Sequence, residues 1–273
     1  MANKTGRRKL LERVIFEVIP MKNTAEKARD LPTGATVSVT ASPDKGMMAT
    51  VELCESLAAD GFQIVPHISA RLTESFDELR TVIERVRDAG ATKAFIVGGD
   101  SQEGKEFADA LALLQALEKL DHPFTELGVA AYPEGHPSIP EHVLRSSLLE
   151  KQDHADYMAT QMCFDAAKIE SWIRSERKAG VTLPLVIGIP GVTDPARLMT
   201  IGARIGVGQS LRYLRKNRAA VMKLLRPGPY DPSKLVDKLS DLAADPTSNA
   251  VGLHVVTFNQ IAPTAEWYEN AVD

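Results

Sequence analysis

The stretch from Tyr157 to Ile189, YMATQMCFDAAKIESWIRSERKAGVTLPLVIGI, carries the pattern that decides the fold. A short apolar run at Tyr157–Gln161 predicts a strand, an amphipathic stretch from Ala166 to Arg177 predicts a helix, and a second apolar run at Leu185–Ile189 predicts another strand. Two strands bridged by one helix make a parallel βα unit, which needs further copies of itself to bury its sheet.

The same alternation runs outward in both directions. Strands are expected at Val14–Ile19, Ala35–Thr40, Gln63–His67, Lys93–Val97, Leu127–Tyr132 and Gly252–Phe258 as well. Helical periodicity falls between them, at Thr50–Ala58, Thr73–Val86, Glu106–Leu120, Glu141–Lys151 and Asp194–Ile205. Eight strands alternating with helices point to an α/β fold, a closed (β/α)8 TIM barrel forming one domain over residues 1–273. Two more helical patterns, Gln209–Leu225 and Pro232–Ala243, are separated by a breaker, RPGP at 226–229, and are expected as extra cover near the barrel mouth. Asp194-Pro195 and Asp231-Pro232 each suggest an N-cap followed by proline in the first helical turn, where the missing N–H costs nothing.

Hydrophobic residues make up 44% and charged residues 25% of the 273, which supplies a sizeable core and argues against disorder. With 36 acidic and 32 basic residues the formal net charge is −4, so no overall field draws the chain onto nucleic acid, and small molecules are the expected partners. The two cysteines, Cys54 and Cys163, have no paired spacing and the six histidines are scattered, which argues against a disulfide framework or a zinc site. Glu12 and Arg13 interrupt any signal-like apolar run, and no later segment is long enough to span a bilayer. The cytoplasm is the expected location, with no membrane partner.

In a barrel of this kind chemistry sits at the C-terminal ends of the strands, so polar residues where an apolar run stops are the informative ones. Glu17, amid Val14, Ile15, Phe16, Val18 and Ile19, is either a desolvated carboxyl with a raised pKa, suited to donating a proton, or a carboxylate satisfied by a buried Lys, Arg or backbone donor. His67 fits a hydrogen-bonded strand-end histidine better than a catalytic base. Gly98-Gly99-Asp100 either lets backbone approach a ligand, with Asp100 accepting from a heterocyclic N–H, or forms a tight βα turn. No third glycine completes a dinucleotide fingerprint. Tyr132 can lie against a planar ring or simply pack, Gln161 offers a donor and an acceptor, and Asn259-Gln260 closes the last strand. Arg204, Arg212, Arg215, Lys216 and Arg218 form a solvated face or a landing strip for an anionic tail. Met162, Cys163 and Phe164 are expected to pack.

Taken in order, FEVIP, VSVT, PHISAR, VGGD, AAYPEGHP, TQMCFD, GIPG and TFNQ resemble the methylenetetrahydrofolate reductase family over nearly the whole chain, with AAYPEGHP followed by ATQMCFD the most specific part. The resemblance implies a barrel that binds FAD at its mouth and passes hydride from NADH or NADPH to a folate substrate. It implies that Glu17 helps protonate and open the folate's five-membered ring, that Asp100 lies near flavin and pterin, and that Gln161 contacts substrate, with Gln260 near folate. It carries flavin contacts onto Thr40, His67, Gly98, Gly99, Asp100, Ala130, Tyr132, His136 and Lys151. The sequence departs from the common pattern in three places. Gly98 and Gln260 each stand where the family has an arginine, and Leu144 and Arg145 lie where it has an acidic residue. Two alternatives therefore stand beside the flavin relay: direct hydride transfer from nucleotide to folate, and a folate-binding subunit without hydride chemistry. Relatives commonly assemble from several barrels, so a homo-oligomer is possible, and no regulatory domain or S-adenosylmethionine control is expected.

Overall fold

A computed structural model describes residues 2–99, 106–194 and 229–272. Eight parallel strands close into a barrel in chain order: β1 (Val14–Val18), β2 (Thr36–Val39), β3 (Gln63–Ser69), β4 (Lys93–Val97), β5 (Glu126–Ala131), β6 (Tyr157–Thr160), β7 (Leu185–Pro190) and β8 (Ala250–Val256), with β8 returning to pair with β1. All eight expected strands are present and the closed barrel is the one the alternation called for. The described helices are α1 (Lys4–Glu12), α2 (Thr24–Ala28), α3 (Gly46–Ala59), α4 (Phe76–Asp88), α5 (Ala110–Leu117), α6 (Glu141–Lys151), α7 (Ala166–Lys178), α8 (Ser233–Ala244) and α9 (Ile261–Val272).

Strand periodicity divides the core into two shells. On β1, Val14, Phe16 and Val18 face outward and join the large apolar layer beneath the helices, whereas Ile15 points into the barrel. There Ile15 meets Val65, Phe95, Tyr157, Ala159 and Val186, one or two residues from each of four further strands, so the barrel interior is packed rather than hollow. Side-chain caps set several helix starts: Asn3, Ser75, Asp109 and Asp165 accept from the first-turn amides of α1, α4, α5 and α7.

The barrel floor is closed by polar contacts. Arg13 pairs with Glu126 and lies over the Tyr157 ring at 5.2 Å, and Lys93 Nζ reaches Glu126 at 3.1 Å. Lys93 thus faces the end of the barrel opposite the strand C-termini, as its place at the start of β4 requires.

Three described helices have no counterpart among the sequence expectations: α1, α2 and α9. Helix α1 is held because Gly6 lets it lie against α8: a Cβ there would sit 1.8 Å from the Ser240 carbonyl oxygen and 2.9 Å from the Ala244 nitrogen. The start of α8 is one residue later than expected, with Pro232 already in helical φ/ψ and the Asp231 carboxylate accepting from the Ser233 amide at 2.7 Å. The helices expected after Asp194 and over 209–225, with the basic set Arg204, Arg212, Arg215, Lys216 and Arg218, lie outside the described residues.

Gly6→Ala is expected to force α1 away from α8 and to lower unfolding free energy by about 1–3 kcal/mol, the usual cost of overpacking, read as a reduced urea midpoint with an unchanged slope.

Candidate active site

Glu17 is the second inward-facing residue of β1, in register with Ser38 on β2 and Val256 on β8. Its side chain is 14% exposed at the C-terminal mouth of the barrel. Two histidines meet it there. His254 comes from β8, where Leu253 and Val255 pack outward and leave the imidazole inside, and its Nε2 lies 3.2 Å from Glu17 Oε2. His67 comes from β3, in register with Phe95, and its Nε2 lies 3.9 Å from the same oxygen. The Ser38 hydroxyl is 2.9 Å from His254 Nε2, and the His254 ring meets His67 and Phe95 edge to face while His67 and Phe95 pack tilted against each other.

The electrostatics correct one expectation. Burial pushes the Glu17 carboxyl up, but the hydrogen bond from His254, with a further contribution from the two neighbouring imidazoles, outweighs it, so the carboxyl sits below its ordinary range rather than above it. The satisfying partner is a histidine, not a Lys, Arg or backbone donor. Burial drives His67 down to about 4, with His254 pushing the same way and Glu17 only partly offsetting them, so His67 is neutral near neutral pH, and the hydrogen bond from His254 is the main hold on the Glu17 carboxyl. His67 also corrects the expectation of a hydrogen-bonded strand-end histidine: its Nε2 is buried without a partner.

The end of β1 is pinned from β8. Thr257 donates to the Glu17 carbonyl through its amide at 3.1 Å and its hydroxyl at 2.7 Å. Asn259 accepts from the Ile19 amide and donates to the Ile19 carbonyl, each at 2.9 Å, and reaches Thr24 Oγ1 at 3.0 Å. To place it, Phe258 and Asn259 take φ of 51° and 56°, a conformation disfavoured for residues bearing a Cβ and paid for here by the clamp. Asn259 is therefore a support for Glu17, a role its sequence position as a strand-end polar residue did not distinguish.

A groove of about 660 Å³ has a lining that includes Gly98, Gly99, Ala130, Tyr132, His136 and Lys151, six of the expected cofactor contacts brought together from β4, β5, the turns after them and α6. Tyr132 and His136 pack edge to face at 5.4 Å. Lys151 is 8% exposed and makes no hydrogen bond or ion pair among the described residues, and burial pulls its pKa down. Gly99 has φ of 86° and a Cβ there would lie 2.2 Å from Ser69 Oγ, so the backbone stays bare at this edge. Arg145 also lines the groove but is committed to Glu176, with Nε and Nη2 bonds of 3.0 and 2.9 Å.

The other expected residues fall nearby. Thr40 follows β2, with its amide bonded to Val18 and its carbonyl to Thr50 Oγ1. Gln161 follows β6, its amide donating to Ala131 at 2.7 Å. The Gln260 carboxamide oxygen accepts from the Asp194 amide at 2.9 Å, which ties the end of β8 to the loop after β7. Met162 packs with Val256 and Phe258, with Phe164 against them, and Cys163 is buried in the outer layer, as expected. Asp100 lies outside the described residues.

The closed parallel barrel with its polar cluster at the strand C-termini defines the chain as a (β/α)8 barrel of the kind that carries its chemistry at that mouth. A profile of the family described as methylenetetrahydrofolate reductase matches residues 18–206, well over half of the chain, and the chain belongs to that family. The match opens one residue after Glu17. Among curated relatives, "Probable methylenetetrahydrofolate reductase (NADPH)" of Caenorhabditis elegans is 25% identical over 183 residues, 61% of this chain and 28% of its own length. "Methylenetetrahydrofolate reductase 2" of Saccharomyces cerevisiae is 34% identical over 77 residues, 27% of this chain and 13% of its own length. The chain thus spans under a third of the relatives it matches. A plant class V chitinase mutant from Cycas revoluta superposes with a TM-score of 0.55 at 11% identity, covering 95% of this chain and 99% of that one, a likeness of fold alone. Among the described residues no helix is long and apolar enough to cross a membrane.

Asn259→Ala removes three hydrogen bonds of a buried side chain and is expected to cost about 1–3 kcal/mol, measurable by chemical denaturation.

Proposed function

We propose that the chain reduces 5,10-methylenetetrahydrofolate to 5-methyltetrahydrofolate with NADH or NADPH as hydride donor and FAD as relay, in the cytoplasm. The observation that carries this reading is the Glu17–His254 pair, 3.2 Å apart at the C-terminal mouth of the barrel.

The residues lining the groove fit a flavin dinucleotide in three respects: a concavity of about 660 Å³, a bare backbone edge at Gly99, and a buried lysine, Lys151, with no hydrogen bond or ion pair among the described residues. Gly98, Gly99, Ala130, Tyr132, His136 and Lys151 would hold it, with Thr40 and His67 on the adjoining strand ends. Flavin bound there would supply reversible hydride chemistry between the nicotinamide nucleotide and the folate.

The protein's own part is proton and position. The carboxyl of Glu17, loaded with a proton through its hydrogen bond to His254, passes that proton to the bridging nitrogen of the folate's five-membered ring. The carbon–nitrogen bond then breaks and leaves a cationic methylene-iminium, which accepts hydride to become the methyl group. The ionised carboxylate left on Glu17 lies beside that cation and stabilises it, a use for which a carboxyl held low in pKa is suited. Gln161 pairs with the pterin edge through its donor and acceptor, Asp100 serves the same ring, and Gln260 holds the loop after β7 beside folate.

An anaerobic visible spectrum of the purified chain incubated with FAD tests the reading. A flavin band bleached by NADH and restored by methylenetetrahydrofolate is expected. A protein that stays colourless yet oxidises NADH only when folate is present would replace the relay with direct hydride transfer, and one that binds folate without oxidising nucleotide would overturn the assignment.

A further inference from the structure

We propose that Glu17, His67 and His254 form a binding site for a first-row divalent transition metal ion, of the zinc or cobalt type. The scattered histidines of the sequence gave no hint of it, because the three ligands come from β1, β3 and β8 and meet only when the barrel closes.

One carboxylate oxygen and two imidazole nitrogens lie within 4.8 Å of one another. The two edges that share Glu17 Oε2 measure 3.2 Å to His254 and 3.9 Å to His67. Bonds of about 2.0–2.1 Å around a tetrahedral ion place neighbouring ligand atoms roughly 3.3–3.4 Å apart, so the His67 ring has to move in toward both Glu17 and His254, across an edge of at most 4.8 Å, to complete the face. A second observation points the same way. His67 Nε2 is buried, its residue 6% exposed, and it has no hydrogen-bond partner; at 3.9 Å from Glu17 it is too distant to donate. An ion at the centre of the face satisfies that nitrogen and the carboxylate together. Two imidazoles and one carboxylate select zinc, cobalt or iron over magnesium and calcium, which require an oxygen cage. The Ser38 hydroxyl, 2.9 Å from the same His254 nitrogen, turns aside or enters as a weak fourth neighbour.

The site shares Glu17 with the proposed acid. A metal ion there removes the carboxyl from proton transfer, so occupancy and folate reduction exclude each other; this consequence rests on the proposed function, whereas the binding itself does not.

The test is titration of the chelator-treated chain with Co²⁺, read by the visible d–d bands of a low-symmetry nitrogen and oxygen site, followed by displacement with Zn²⁺. A single ion per chain is expected. His67→Gln and His254→Gln should each weaken it by more than the roughly 10–100-fold that loss of an outer-shell partner costs. His67→Gln gives up no Nε2 hydrogen bond, and a native circular dichroism spectrum for it keeps the comparison sound even where His254→Gln unfolds. Absence of the bands in the unaltered chain, or undiminished affinity in a folded His67→Gln, overturns the site. Co²⁺ binding that leaves folate turnover intact upholds the site and overturns the role of Glu17 as the acid.

Discussion

A carboxylate drawn into the mouth of a packed barrel loses its hydration, and a buried charge persists only with a partner of good geometry. At Glu17 that partner is His254, 3.2 Å away on the strand that closes the barrel against β1. The pair therefore joins the first strand to the last, and its geometry depends on barrel closure. Everything around it serves that alignment: Thr257 and Asn259 pin the backbone of β1, Ser38 meets the imidazole, and Phe95 with His67 encloses it. The left-handed backbone at Phe258 and Asn259 is tolerated for the same purpose, since it aims the Asn259 carboxamide at both polar groups of Ile19.

The arrangement sets two features apart on the barrel. The ionisable cluster occupies the ends of β1, β3 and β8, and the groove lies over β4, β5 and α6. The side chains of the cluster and those lining the groove thus come from different strands, so the groove lining can vary without touching Glu17. Gly98 and the Arg145–Glu176 pair are such variations: neither touches Glu17, and each changes which charges the groove presents.

The barrel was legible because its strands are short apolar runs separated by amphipathic stretches, and that pattern needs no tertiary knowledge. Helix α1 was not, because KTGRRKLLE buries only Gly6, Leu10 and Leu11 and gives too thin an apolar stripe. Helix α9 carries Pro263 in its first turn, which masks its periodicity. At the site, Glu17 stood out as a lone carboxylate in an apolar strand, and the groove residues stood out through the family resemblance. His254 did not, because LHVVTF reads as one more buried strand until parity assigns its imidazole to the inside. The direction of the Glu17 shift was hidden for the same reason: burial is local and readable, whereas the histidine that reverses it arrives from the far end of the chain.

The most direct measurement is the NADH-dependent rate of methylenetetrahydrofolate reduction by Glu17→Gln beside the unaltered chain, both shown folded by circular dichroism. A positioned general acid contributes about 10²–10⁴-fold, so a fall of at least roughly a hundredfold is the result expected. A rate within a few-fold of the unaltered chain would remove Glu17, and with it the carboxylate–histidine pair, from the chemistry of the barrel.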